Sequence, residues 1–211
     1  MVLYHLVSGQ HSIAWGSSVS TRLRTLEVAS ATFADRGVAA TSLDELARQL
    51  GVTKQTILYH FGSKDQLLAE VVRAGAEELF MELSAALDSS SPGWDRIEAS
   101  VRAAFALAVR RPELLGLLRE VSRLGPPSSD AVIEVLAPLV ERSVRALEAG
   151  MDEGLFRRSD PRLVLVSAYA ATTGVVTESE VLRAVGLELD LRVAARLRRT
   201  TLDFLRAALG P

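Results

Sequence analysis

Apolar residues recur three and four positions apart along nearly the whole chain, and the strict alternation of a half-buried strand is hardly sustained anywhere. That period predicts an all-α fold of about nine helices. The first helix is predicted over 21–36, with Leu26, Ala29, Ser30 and Phe33 on one face and Gly37 as a left-handed stop. A second begins after Ala40, with Thr41 or Ser42 as its N-cap. Ser42 and Glu45 have the spacing of a capping box, in which each side chain satisfies a free backbone N–H. This helix ends near Leu50, ahead of Gly51. Thr53 caps a third helix reaching Tyr59 or His60, and the Gly62-Ser63 break leads into a long fourth helix from Lys64 to about Leu87.

The segment 88–93, DSSSPG, is turn-forming and separates a head from a larger body. Body helices are predicted at 94–110, 112–124, 129–150, 161–177 and 190–209, with Pro112 and Pro161 in favourable first-turn positions. Pro138 falls inside one of them, so a kink or a late start is expected there. No period of about 20 to 50 residues is visible, which favours a bundle over a helical repeat array. The expected organisation is an arm at 1–20, a head at 21–66 and a larger helical domain at 67–211.

Composition narrows the chemistry. With 211 residues, 48% of them hydrophobic, the chain can bury a real core. The lack of cysteine excludes disulfides, thiolate zinc sites and a cysteine nucleophile. His5, His11 and His60 have no partner ligand at helical metal spacing, so neither a metal nor another cofactor is expected. The first 20 residues open with MVLYHLV, too short for a membrane span and without a basic stretch before it. The small polar residues that follow read as a disordered arm, so a cytoplasmic protein with no membrane partner is expected. With 24 basic against 26 acidic residues, the chain does not suit indiscriminate coating of nucleic acid. Any DNA binding must come from a local patch, and the only two lysines, Lys54 and Lys64, fall within one short segment.

That segment is 42–64, SLDELARQLGVTKQTILYHFGSK, in which a short helix, a Gly-containing turn and a second short helix follow closely. This is helix-turn-helix grammar. Ala47 is small where two helices approach, Gly51 permits the turn, and Leu46, Leu50, Val52 and Ile57 can close a shared core. The outward positions at the start of the second helix are then Thr53, Lys54, Gln55 and Thr56, which approach base edges and phosphates in a major groove. Gln reads adenine bidentately and Lys meets guanine or phosphate. Tyr59, His60 and Lys64 lie farther along toward the DNA backbone, with Thr41 and Ser42 completing the candidate set. No acidic residue occurs from Gln49 to Ser63. The competing reading, in which Thr53, Thr56 and Ser63 only cap helices and the lysines are solvated charges, does not account for their joint spacing.

The same stretch resembles the TetR family signature through Ala40-Thr41-Ser42, Leu46-Ala47, Gly51-Val52-Thr53, Thr56-Ile57, His60-Phe61, Ser63-Lys64-Asp65 and Leu67. It departs where many members carry Tyr after the Ile or Leu, since Leu58 stands there with Tyr59 next, and where many carry Gly after the Lys, since Gln55 stands there. The resemblance implies a homodimer that binds a near-palindromic operator and is released by a small effector. It places a phosphate contact on Lys64, a dimer face on the last two helices, and a ligand chamber among the middle ones. The small-residue run 167–174 suits a close helix approach, so Ala170, Thr173, Gly174, Leu197 and Phe204 are dimer-face candidates. Phe105, Leu114, Leu118, Met151, Tyr169 and Thr172 are chamber candidates, with Trp94 at a mouth. The scarcity of interior charge suggests an apolar effector, such as an acyl, aromatic or terpenoid compound.

Three rival readings stand beside this one. A small α-helical enzyme is disfavoured by the absence of a Gly-rich phosphate loop, of G-x-S-x-G and of histidine–carboxylate pairing. A helix-turn-helix regulator controlled by a protein partner is equally compatible with the sequence. An architectural DNA binder is disfavoured by the acidic balance.

Overall fold

The computed structural model describes residues 21–210 apart from 115, 118–120, 122–124, 127, 178 and 189, and apart from the side chains of 175–177 and 179. The arm, with His5 and His11, and the chamber candidate Leu118 lie outside the described residues. Among the described residues there are helices and no strands: α1 (Thr21–Arg36), α2 (Leu43–Leu50), α3 (Lys54–Phe61), α4 (Lys64–Asp88), α5 (Trp94–Arg110), α6 (Ser128–Asp152), α7 (Pro161–Thr177), α8 (Ser179–Ala184) and α9 (Leu191–Leu209). Residues 112–114 and 116–117 are also helical. The short α8 was not predicted, because six residues are too few for a 3.6-residue period to show itself.

The boundaries follow from local chemistry. Ser42, Thr53 and Ser63 each adopt extended backbone and accept a hydrogen bond from the N–H three residues on, at 3.1 Å in all three cases. The expected capping box is only half formed, since the Glu45 carboxylate pairs with Arg36 of α1. Gly51 ends α2 in the left-handed region (φ 68°). Its N–H donates to the Arg48 carbonyl at 3.3 Å and that of Val52 to Ala47 at 3.0 Å, the two bonds of a Schellman stop. α6 contradicts the expected late start: it begins at Ser128 and continues through Pro138. Both Pro138 and Glu134, whose carbonyl loses its donor to the proline ring, are exposed, so water can satisfy that carbonyl.

α4 is the axis of the molecule. It packs on α1 and α3 at its start and on α5 and α6 farther along, while α9 lies on α5 and α7. Ion pairs tie it down on both sides: Arg73–Glu134 at 2.7 Å and Arg142–Asp88 to α6, and Arg110–Glu82 at 2.7 Å and Arg111–Glu78 at 3.0 Å on the α5 side. The first core unites α1, α2 and α3 through Phe33, Leu46, Leu50, Ile57 and Phe61, and continues into Leu67, Leu68, Val71 and Val72 of α4. Leu117 and Val121 also belong to it, so a segment far along the chain is built into the head. Two smaller clusters fill the body, one of Leu147, Met151, Phe156 and Leu209, the other of Val101, Phe105 and Leu205.

Candidate nucleic-acid interface and helical body

Only one side of α3 is needed to close the head. Ile57 and Phe61 are buried, and the remaining side chains face outward to different degrees. Lys54 and Gln55 are exposed, Tyr59 is 86% exposed, and Thr56, Leu58 and His60 are half-buried. Thr53, Gln55, Thr56, Leu58 and Tyr59 line an open concavity on this face. A tyrosine so exposed on a short helix has no role in holding the head together.

Each predicted contact residue has a definite setting. Thr53 and Thr56 share a hydroxyl contact of 2.9 Å, and Thr53 also caps α3. A hydroxyl that accepts from a backbone N–H still has a proton to donate, so capping and phosphate contact are compatible. His60 meets Tyr59 edge-on with ring centroids 5.3 Å apart, and Phe61 at 6.2 Å. Lys64, half-buried, opens α4 beside α3. Ser42 is exposed at the N-cap of α2.

Thr41 does not belong with these residues. It is 1% exposed, and its hydroxyl donates to the Gly37 carbonyl at 2.9 Å, which removes it from any surface a duplex can reach. Two other residues were missed. Asp44 places a carboxylate 2.9 Å from Lys54 Nζ. It lies ten positions earlier, in the first turn of α2, and only the packing of α2 on α3 brings it there. Arg22 lies over the Phe61 ring at 5.5 Å and pairs with Glu70, joining α1 to the start of α4. No spacing rule points to either pairing.

The body candidates separate into two groups. Phe105, Leu114, Met151 and Thr172 are buried, and Phe105 and Met151 belong to the two clusters that fill the space between α5, α6, α7 and α9. Trp94 bridges both body clusters, with the Arg206 guanidinium 4.5 Å above its ring and its indole Nε1 buried without a hydrogen-bond partner. Tyr169 is not with the first group: it is 60% exposed, on the outer side of α7 beside exposed Ala170. Leu163 and Val166 on the same helix are 65% and 63% exposed, and Phe204 of α9 is 59% exposed. Thr173, Gly174 and Leu197 are half-buried at the edge of that face.

Comparison with known proteins agrees with this geometry. The family model described as bacterial regulatory proteins, tetR family, matches residues 26–71, from α1 through the first turns of α4. The HTH-type transcriptional repressor KstR2 of Mycobacterium tuberculosis is 28% identical over 144 residues, 67% of this chain and 72% of that protein. The HTH-type transcriptional activator FasR of Mycolicibacterium smegmatis is 28% identical over 153 residues, 71% of this chain and 70% of its own. The solved structure of KstR2, a ketosteroid transcriptional regulator, is similar with a TM-score of 0.73 at 24% identity, over 93% of this chain and 98% of that one. AibR, solved with isovaleryl coenzyme A and operator DNA, is similar with a TM-score of 0.75 at 20% identity, over 88% and 97% of the two chains. These structural likenesses concern the fold.

Proposed function

We propose that the chain, whose residues 26–71 match the tetR family of bacterial regulatory proteins, is a repressor of that family that binds a near-palindromic operator as a homodimer and releases it when a small effector binds the body. The observation that carries the reading is the outer face of α3, where Lys54, Gln55 and Tyr59 are exposed on a helix anchored by Ile57 and Phe61. In the complex Gln55 reads a base edge and Lys54 exchanges Asp44 for a guanine or a phosphate. Thr53, Thr56, Tyr59 and Lys64 hold the backbone, with Ser42 and His60 beside them. Such a regulator acts where the chromosome is, in the bacterial cytoplasm.

A single head reads one half-site, and two half-sites lie about 34 Å apart, so a dimer is required. Leu163, Val166, Tyr169 and Phe204 supply an apolar face for it, with Ala170, Thr173, Gly174 and Leu197 allowing close approach. The effector enters the body among Trp94, Phe105, Leu114, Met151 and Thr172 and contributes an apolar part. Because Phe105 and Met151 sit in two filled clusters that Trp94 joins, binding requires the middle helices to separate. That movement reaches the head along α4, about 37 Å long at 1.5 Å per residue, and through Leu117 and Val121, which sit in the head's own core. A coupling that changes operator affinity by about 5- to 150-fold suffices. Solved relatives of this fold include AibR, bound to an acyl thioester and to operator DNA.

The test is fluorescence anisotropy on the DNA flanking its own gene at physiological salt. Lys54→Ala and Gln55→Ala should each weaken specific binding by about 1–3 kcal/mol, with Gln55→Ala also relaxing base preference at one position. Equal binding to operator and random DNA, unchanged in both variants, sinks the proposal.

A further inference from the structure

The nature of the effector is addressed by a pocket away from the buried aromatic cores. Where the last turn of α4, the first turn of α5 and the second half of α6 meet, a cavity of about 240 Å³ is lined by Leu87, Arg96, Arg142, Arg145, Ala146 and Ala149. Three of its six lining residues are arginines. On α6 the positions 142, 145, 146 and 149 form one stripe at spacings of three and four, so both arginines and both alanines face the same space. Leu87 is buried and gives the cavity an apolar floor.

The positive charge here is incompletely answered. Arg142 pairs with Asp88, whose side chain is 66% exposed. Arg145 approaches Glu141 only at 3.7 Å, too far for a hydrogen bond. Arg96 Nε is buried without any acceptor, a costly state for a guanidinium donor. At the start of α5 the N-cap is Gly93, which offers no side-chain acceptor; the Arg96 N–H donates to the Gly93 carbonyl at 3.3 Å, and Asp95 is the acidic residue of that turn. Guanidinium forks match carboxylates and phosphates bidentately. The volume, roughly that of eight waters, admits such a group and a short stem but not a whole lipophilic molecule.

We propose that this pocket seats the acidic group, a carboxylate or a phosphate, of the effector. Arg96 and Arg145 grip the anion, and Arg142 is drawn to it from Asp88. Since the Arg142–Asp88 pair ties α6 to the end of α4, occupation loosens the far end of the helix whose near end holds the head. This last step rests on the regulator reading above; anion binding itself does not.

The experiment is a thermal-shift and calorimetric titration of the full chain with octanoate and octyl phosphate at millimolar concentration, against sodium chloride of equal ionic strength, with operator anisotropy read in parallel. Saturable stabilisation by one of the two, absent with chloride, is expected, and the one that binds identifies carboxylate or phosphate. Arg96→Gln should weaken it by about tenfold or more, while Arg102→Gln, on the same helix but outside the pocket, leaves it unchanged. Arg145→Gln, at a side chain 67% exposed and so harmless to folding, should weaken it in the same direction if Arg96→Gln does not fold. No saturable shift, or one that survives both pocket substitutions, overturns the proposal. Anion binding without operator recognition would instead sink the regulator reading and leave the site standing.

Discussion

The head and the outer face of the body draw on similar side chains and leave them in opposite states. In the head, Leu46, Ile57 and Leu67 are each 0% exposed, enclosed by α1, α2, α3, α4 and the segment holding Leu117 and Val121. On the body's outer face, Leu163, Val166, Tyr169 and Phe204 are each about 60% exposed. A single chain closes the first set, and no described element of the same chain covers the second. Apolar side chains exposed singly are ordinary, but four on two neighbouring helices form a surface that gains by being covered. The head has completed its burial, whereas the body leaves this face uncovered, the face proposed above to meet a second copy.

If the head is a closed core, Phe33→Ala should produce the largest effect, a loss of about 3–5 kcal/mol in urea denaturation, because it opens a cavity at a residue 2% exposed. A loss below about 1 kcal/mol would mean that the head rearranges easily, and would blur the contrast with the body.

Phe204→Glu addresses the other side of the comparison. Placed on the uncovered face, it should cost dimerisation about 2 kcal/mol or more while leaving the monomer's unfolding midpoint in place. Sedimentation at several concentrations reads the first quantity, and denaturation of the dilute protein reads the second. A variant that dimerises like the parent removes this face from the interface.

Gly150→Ala probes the body's interior. A Cβ at Gly150 would meet the Phe156 ring at 2.5 Å, so the ring must move out of the cluster it shares with Leu147, Met151 and Leu209. Overpacking of this kind costs about 1–3 kcal/mol, and thermal unfolding should show it. A neutral outcome would reveal slack in the body that the head does not have.

The smallest effect concerns pH. The hydrogen bond and charge of Arg73 hold the Glu134 carboxyl below its ordinary range. Its contribution is therefore present above the usual glutamate range and fades as pH falls through the lowered value. Glu134→Gln should flatten that acidic limb of the stability profile slightly, and added salt should reduce the difference, since the pair lies in water. A profile that coincides with the parent at low salt would show that this tie between α4 and α6 contributes nothing.

Much of the head was legible because its rules are local. Ser42, Thr53 and Ser63 lie at the starts of α2, α3 and α4 as caps, and Gly37 and Gly51 lie after α1 and α2 with positive φ. The outward face of α3 follows from the two residues, Ile57 and Phe61, that must turn inward. Thr41 was misplaced because its position beside an N-cap cannot reveal that the chain turns it inward onto Gly37. Tyr169 was misplaced because an aromatic residue on a helix apolar nearly all round has no period to say which side is covered.

The sequence by itself determined the helices of the head, their caps and stops, and the residue types presented at the start of α3, since each depends on neighbours within about four positions. Tertiary structure alone decided that Asp44 meets Lys54, that Leu117 and Val121 enter the head, and that Arg96, Arg142 and Arg145 share a pocket. Those juxtapositions join residues separated by 10 to more than 40 positions, and only the packing of α2 on α3 and of α4 against α1, α5 and α6 brings them together. Local energetics fix where a helix begins and ends, whereas its neighbours depend on how all the apolar stripes close at once.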